Sequence, residues 1–158
     1  MKKTNVMRIL DAQKIEYTTY EYTITDGKTD GLTVAAKVGQ DPEKVFKTLV
    51  TRGHSKEYYV FVIPVGQELN LKKAAVVTQE KKIEMIAMKE LLPLTGYVHG
   101  GCSPIGMKKK FATFLHESAK LHESIIFSAG KIGAQVELKV DDLLQVIQVE
   151  LVDLVSTP

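Results

Sequence analysis

Apolar positions along this chain switch repeatedly between helical spacing and strict alternation, and the switches divide it into short elements. Val6, Ile9 and Leu10 share one helical face behind the capping residue Thr4, which predicts a helix running to about Lys14. Residues 15–22 are rich in Tyr and Thr and read as a strand carrying Tyr20 in phase with Thr18 and Tyr22. The polar, glycine-bearing stretch 23–31 reads as a mobile loop. Thr33 is placed to cap a short helix over 34–38 that Gly39 stops. Asp41-Pro42 then opens a single turn.

Residues 45–51 form the clearest strand. Val45, Lys47 and Leu49 alternate with Phe46, Thr48 and Val50, so both faces are largely apolar and the strand belongs in the interior. A lysine there needs a carboxylate, a bound anion or a path to solvent. The plain alternative is a packed stem with its ammonium reaching water. A turn at 53–56 joins this strand to another at 58–65.

Residues 71–77 read as a short helix and Ile83–Met85 as an extended piece. A helix over 89–92 is expected to end at Pro93. Strands follow at 111–115, 124–128 and 134–138, with a helical turn at Glu117–Leu121. Asp141 or Asp142 begins a helix that turns Leu143, Leu144 and Ile147 to the core; acidic residues suit the positive end of a helix. A last strand is expected at 150–155. Strands and short helices without regular alternation predict an α+β fold.

Composition narrows the classes. The 158 residues fit one domain, spanning 1–158, with 44% apolar and 25% charged residues, ordinary for a globular protein. No apolar run approaches membrane-spanning length, and no apolar segment follows the first four residues as a signal peptide would require. The single Cys102 rules out an intrachain disulfide and suits a reducing cytoplasm. A net charge of +2 predicts no strong nucleic-acid affinity from the field alone.

Two glycine stretches carry candidate chemistry. Residues 97–110 (YVHGGCSPIGMKKK) hold Gly100, Gly101, Pro104 and Gly106, and residues 128–133 read SAGKIG. Such turns let another group approach the backbone, and their N–H groups can form an anion-holding concavity. Cys102 lies three residues from His99, which invites a cysteine-hydrolase reading, although no third group is evident to orient the histidine. His116 and His122 lack zinc-ligand spacing, and neither a metal nor another cofactor is expected. Lys108–Lys110 could touch a phosphate backbone, or form a solvated edge.

VFKTLV with its inward lysine, GGCSPIG, and SAGKIG followed by an acidic helix start, in this order, resemble the YbaK/EbsC family of Cys-tRNA(Pro) deacylases. They are also similar to the editing domain inserted in many bacterial prolyl-tRNA synthetases. The resemblance covers nearly the whole chain. It implies a single α+β domain built on a mixed, barrel-like sheet. It implies hydrolysis of the ester joining a mischarged amino acid, chiefly cysteine on proline tRNA, to the 3′ end of tRNA. It implies cytoplasmic work in trans with prolyl-tRNA synthetase, with no membrane involved.

Residue by residue, the resemblance places the family's essential lysine at Lys47 and its threonine at Thr48. The strand tyrosine falls at Tyr20, the glycine pair at Gly100 and Gly101, the second-loop residues at Ser128 and Gly130, and the helix-start aspartate best at Asp142. It makes Lys47, Tyr20 and Asp142 catalytic and the others substrate-binding. Ile132 stands where the family usually has arginine, and an aromatic residue often found near Asp30 is absent. In this family the substrate's own thiol is thought to attack its ester. The contrasting class is a catalytically idle relative that binds tRNA or a partner protein and regulates expression.

Overall fold

The structure is a computed structural model that describes residues 2–24, 27–28 and 30–156. Helix α1, Asn5–Ala12, starts where Thr4 Oγ1 accepts the Met7 N–H at 3.3 Å. Strand β1 is Thr18–Glu21, shorter than expected. Helix α2, Gly31–Lys37, begins three residues earlier than its sequence signal: Asp30, not Thr33, is the cap and accepts the Thr33 N–H at 3.1 Å. A carboxylate is at least as good an N-cap as a hydroxyl, and it shifts the helix start back. Thr25, Asp26 and Thr29 of the expected loop at 23–31 lie outside the described residues.

Strands β2, Phe46–Gly53, and β3, Tyr58–Pro64, form the expected hairpin. Helix α3, Leu71–Thr78, and strand β4, Ile83–Met85, follow. Helix α4, Met88–Thr95, runs through Pro93 and stops at Gly96, whose φ is +85°. Proline removes one bond from the ladder without ending the helix here; the left-handed glycine supplies the stop. Strand β5 is Ala112–His116, and a 3-10 turn covers Glu117–Leu121. Strand β6, Ser124–Lys131, extends through most of the second glycine stretch, leaving only a tight turn before β7, Ala134–Lys139. Helix α5, Val140–Val146, holds Asp141 and Asp142 in its first turn. Strand β8, Val149–Val152, ends before the expected boundary.

The strands make two sheets. One is antiparallel with order β1-β7-β6, and the other is mixed with order β4-β2-β3-β5-β8. The barrel-like expectation is corrected: the sheets do not close. They are joined at one parallel bridge, Val45 to Ile126, where the Ile126 N–H donates to the Lys44 carbonyl at 3.0 Å. The α+β class stands.

Alternation along β2 splits its side chains between cores. Phe46 and Val50 enter the main core with Val6 and Leu10 of α1, Val60, Phe127, Val136 and Leu143. Leu49 packs on the opposite face against Phe61, Ile63 and Phe114. A third cluster, Ala35, Val45, Val65 and Ile126, closes over the bridge beneath α2 and touches Tyr20. Helices on both faces therefore clamp β2 and β6 at their junction. No described helix is long and apolar enough to cross a membrane.

Candidate active site

The site is organised by what happens beyond the Val45–Ile126 bridge. Two residues further along each strand come Lys47 on β2 and Ser128 on β6, facing the same side as the bridge pair. The ladder does not continue past the bridge, so β2 and β6 are unpaired between these two positions, and this unpaired junction is the candidate cleft. Across the smaller sheet, Gln135 of β7 is paired with both Tyr20 of β1 and Ser128 of β6. Directly paired residues put their side chains on one face. Tyr20, Gln135 and Ser128 thus form one row leading toward Lys47.

Lys47 is half-buried, and burial pushes its ammonium below the ordinary lysine range, with the Glu68 carboxylate pulling partly back. It is a partly desolvated cation, the condition under which a lysine gives up its proton or pairs with an anion more readily than in water. Thr48 points the other way, toward the face of Phe46 and Val50, and its buried Oγ1 has no hydrogen-bond partner among the described residues. The structure does not bring its hydroxyl to the cleft face of Lys47.

The two glycine stretches do meet. Gly101 is buried, and a Cβ built there would lie 2.9 Å from the Ile132 nitrogen and 3.0 Å from Lys131 Cα, so only glycine lets the loop press on the tip of the β6–β7 hairpin. Gly130, at φ +99°, packs under Tyr97, whose hydroxyl donates to the Ile105 carbonyl. The expected anion concavity is not formed by these two amides. Gly101 N–H donates to the Val98 carbonyl at 3.0 Å, and Gly130 N–H donates to Ser128 Oγ at 3.1 Å. Gly100, at φ +87°, supplies the turn itself.

A polar network that sequence reading did not single out holds Tyr20. Its hydroxyl donates to Glu137 Oε1 at 2.5 Å and receives Gln40 Nε2 at 3.4 Å. The other carboxylate oxygen, Oε2, takes the Ser124 hydroxyl at 2.5 Å and the Lys44 ammonium at 2.6 Å. Burial alone would raise the Glu137 pKa, but the donors from Lys44, Ser124 and Tyr20 together hold it below the ordinary range. The bond to Glu137, followed by burial, pushes the Tyr20 hydroxyl up to about 12. Period-two alternation in 134–138 shows that Gln135 and Glu137 share a face; only the register shows that Tyr20 is their neighbour.

Asp142 lies elsewhere. It follows β7 past Lys139, which pairs with Ser124 at the end of the hairpin remote from Gly130. Four residue steps along β7 lead from Gln135 to Lys139, roughly 13 Å. Helix α5 sends Val140 and Leu143 into the main core, on the opposite side of β7 from Gln135. Cys102 is partly buried, and desolvation pushes its thiol up to about 12, only partly offset by a hydrogen bond from Thr95. It is a neutral thiol near pH 7, unsuited to attack. His99 is exposed. An open groove of about 820 Å³ along Tyr17–Thr19 is lined by Ser124 and Glu137 of the polar network and does not include Tyr20, Ser128, Gln135 or Lys47.

A family profile described as an aminoacyl-tRNA editing domain matches residues 29–146, which takes in Lys47, both glycine stretches and the start of α5. This chain belongs to the aminoacyl-tRNA editing domain family. Membership makes it an aminoacyl-tRNA deacylase, as the resemblance implied. It is 46% identical over 143 residues to "Putative Cys-tRNA(Pro)/Cys-tRNA(Cys) deacylase EbsC" of Enterococcus faecalis, an alignment covering 90% of this chain and 87% of that one. The editing fold recurs in a crystal structure described as "a putative trans-editing enzyme for prolyl tRNA synthetase", with TM-score 0.82, 20% identity, and 99% and 100% of the two chains covered. A crystal structure of a hypothetical protein matches with TM-score 0.87 at 18% identity, covering 97% and 100%.

Proposed function

We propose that this protein acts in trans in the cytoplasm to clear cysteine mischarged onto proline tRNA, and that the substrate's thiol makes the first attack. The observation that carries the reading is Lys47, a half-buried ammonium on the wall of the cleft across from Ser128. An ester carbonyl gains negative charge as it is attacked, and a cation in a poorly hydrated site stabilises that charge strongly. The editing-domain class and the name of the 46%-identical relative support the ester and the cysteine.

The reaction needs no nucleophile from the protein. The substrate thiol loses its proton to solvent, and its sulfur forms a bond to the carbonyl carbon of the same cysteinyl group. The carbon–oxygen bond to the terminal ribose breaks, and the ribose oxygen takes up a proton. Water then opens the cyclic thioester to free cysteine. The only protein thiol, Cys102, is partly buried and protonated, which supports assigning the attack to the substrate. Folding the cysteinyl group back on its ester is positioning, which can lower a barrier greatly. Of the other assigned residues, Tyr20 and Ser128 orient the substrate, Gly100, Gly101 and Gly130 shape the cleft wall, and Thr48 supports β2 from behind. A catalytic part for Asp142 requires the acceptor end to reach the first turn of α5.

Prolyl-tRNA synthetase is the proposed partner in tRNA binding. A net charge of +2 leaves little affinity to the field of this chain alone, and Ile132 at the hairpin tip offers no charge to phosphate. The test is release of amino acid from a panel of aminoacyl-tRNAs with and without the synthetase. Cysteinyl-tRNA should be cleaved much faster than alanyl- or seryl-tRNA, and the synthetase should lower the concentration required. Equal cleavage of all three would mean an activated water or protein nucleophile. Release from none would favour the idle binding relative.

A further inference from the structure

Beside the cleft lie one buried oxygen acceptor that the described residues leave without a donor and one tyrosine oxygen that takes only a long bond. Gln135 is only 6% exposed, yet its Oε1 has no hydrogen-bond partner among the described residues. A buried amide oxygen without a donor is costly to the free protein and points to a ligand or a water in that place. Its neighbour on the same face, Tyr20, gives its hydroxyl proton to Glu137 at 2.5 Å and takes only a long bond from Gln40 Nε2 at 3.4 Å, so its oxygen keeps a lone pair for a further group. Glu137 is kept as the acceptor of that proton by Lys44 and Ser124 on its other oxygen. The Lys44 ammonium also offsets the carboxylate's charge, so the pair offers two neutral acceptors and not a bare anion.

The geometry points to Gln135 and Tyr20 as a subsite for the free α-amino group of the aminoacyl ester, with Glu137 positioning Tyr20. This rests on the deacylase reading and narrows its substrate class. A free amino group carries at least two N–H donors for two acceptors. An acylated nitrogen carries one and adds a carbonyl group where Gln135 is buried. The enzyme would thereby act on aminoacyl-tRNA and spare esters whose amino group is blocked.

The experiment compares cysteinyl-tRNA with N-acetyl-cysteinyl-tRNA, each rate corrected for spontaneous hydrolysis of the same ester. Wild-type protein should cleave the acetylated ester at least about tenfold more slowly, the effect of losing one hydrogen bond to a charged or strongly polarised group. Gln135→Leu removes the orphan acceptor at similar size and keeps the fold. It should raise KM for cysteinyl-tRNA with little change in kcat and shrink the difference between the two esters. Tyr20→Phe, which leaves Glu137 its contacts to Lys44 and Ser124, should do the same. Equal cleavage of both esters by the wild type, or full discrimination in both variants, overturns the subsite and leaves the deacylase reading standing. Cleavage of neither ester overturns both.

Discussion

Gly101 lies against the backbone of Ile132, with room of only 2.9 Å between the site of a Cβ and the Ile132 nitrogen. The neighbouring atoms are main chain, so they cannot swing aside as a flexible side chain would. Gly101→Ala should push the glycine loop off the hairpin tip and cost about 1–3 kcal/mol, the usual range for overpacking. Deacylation should fall with it, because that contact lies at the tip of the β6–β7 hairpin that carries Ser128. Chemical denaturation and turnover measured on one preparation check this; an unchanged midpoint would show that the loop yields freely.

Lys47 sets activity against stability. Its folded-state pKa is below the ordinary 10.5, chiefly through burial, so the cationic form opposes folding. That cost is fully present below the folded pKa and fades as pH rises through it toward the unfolded value. Lys47→Met should nearly abolish deacylation while raising Tm at pH 7, with the gain shrinking as pH approaches the ordinary lysine value. Turnover at the wild-type rate in a folded Lys47→Met protein would remove Lys47 from the mechanism.

The Glu137 carboxyl works in the opposite sense. Its folded pKa is held below 4.5 by its three donors, so its contribution to stability is present above that value and is lost as pH falls through the folded pKa. Glu137→Gln should lose about 1–3 kcal/mol at neutral pH, within the range for breaking charged hydrogen bonds. Below pH 4.5 the variant should also lose stability less steeply than the wild type. Parallel acid-unfolding profiles of the two proteins would expose a Glu137 that plays no part in the fold.

Cys102 should prove dispensable for chemistry. With its thiol pushed to about 12 by burial, it is neither a ready nucleophile nor a fast target for alkylation near neutral pH. Cys102→Ser should retain most of the turnover, and iodoacetamide should modify the folded wild type slowly by mass spectrometry. Complete loss of activity on this near-isosteric change would restore the cysteine-hydrolase reading.

Local order was legible because it depends on neighbours in sequence. Thr4 reads as a cap and is one; Val45, Lys47 and Leu49 alternate with Phe46 and Val50, and the cores divide them in that way. The errors are also local competitions. Asp30 outcompetes Thr33 for the start of α2, and Gly96, not Pro93, ends α4, because a left-handed glycine stops a helix more firmly than one missing N–H. The spacing of VFKTLV, GGCSPIG and SAGKIG also carried the family, since that pattern is a property of the chain itself.

Which polar groups meet was decided only in three dimensions. Tyr20 and Glu137 stand 117 residues apart and are joined because β1 pairs with β7 in one register. A slip of one residue would turn Gln135 and Glu137 into the core. The same register orphans Gln135 Oε1 in the cleft and leaves Asp142 at the far end of the hairpin. Alternation along a strand tells which residues share a face; it does not tell which strand lies alongside. That choice belongs to the packing of α1, α2 and α5 against the two sheets, where the apolar area removed from water selects one pairing over the others.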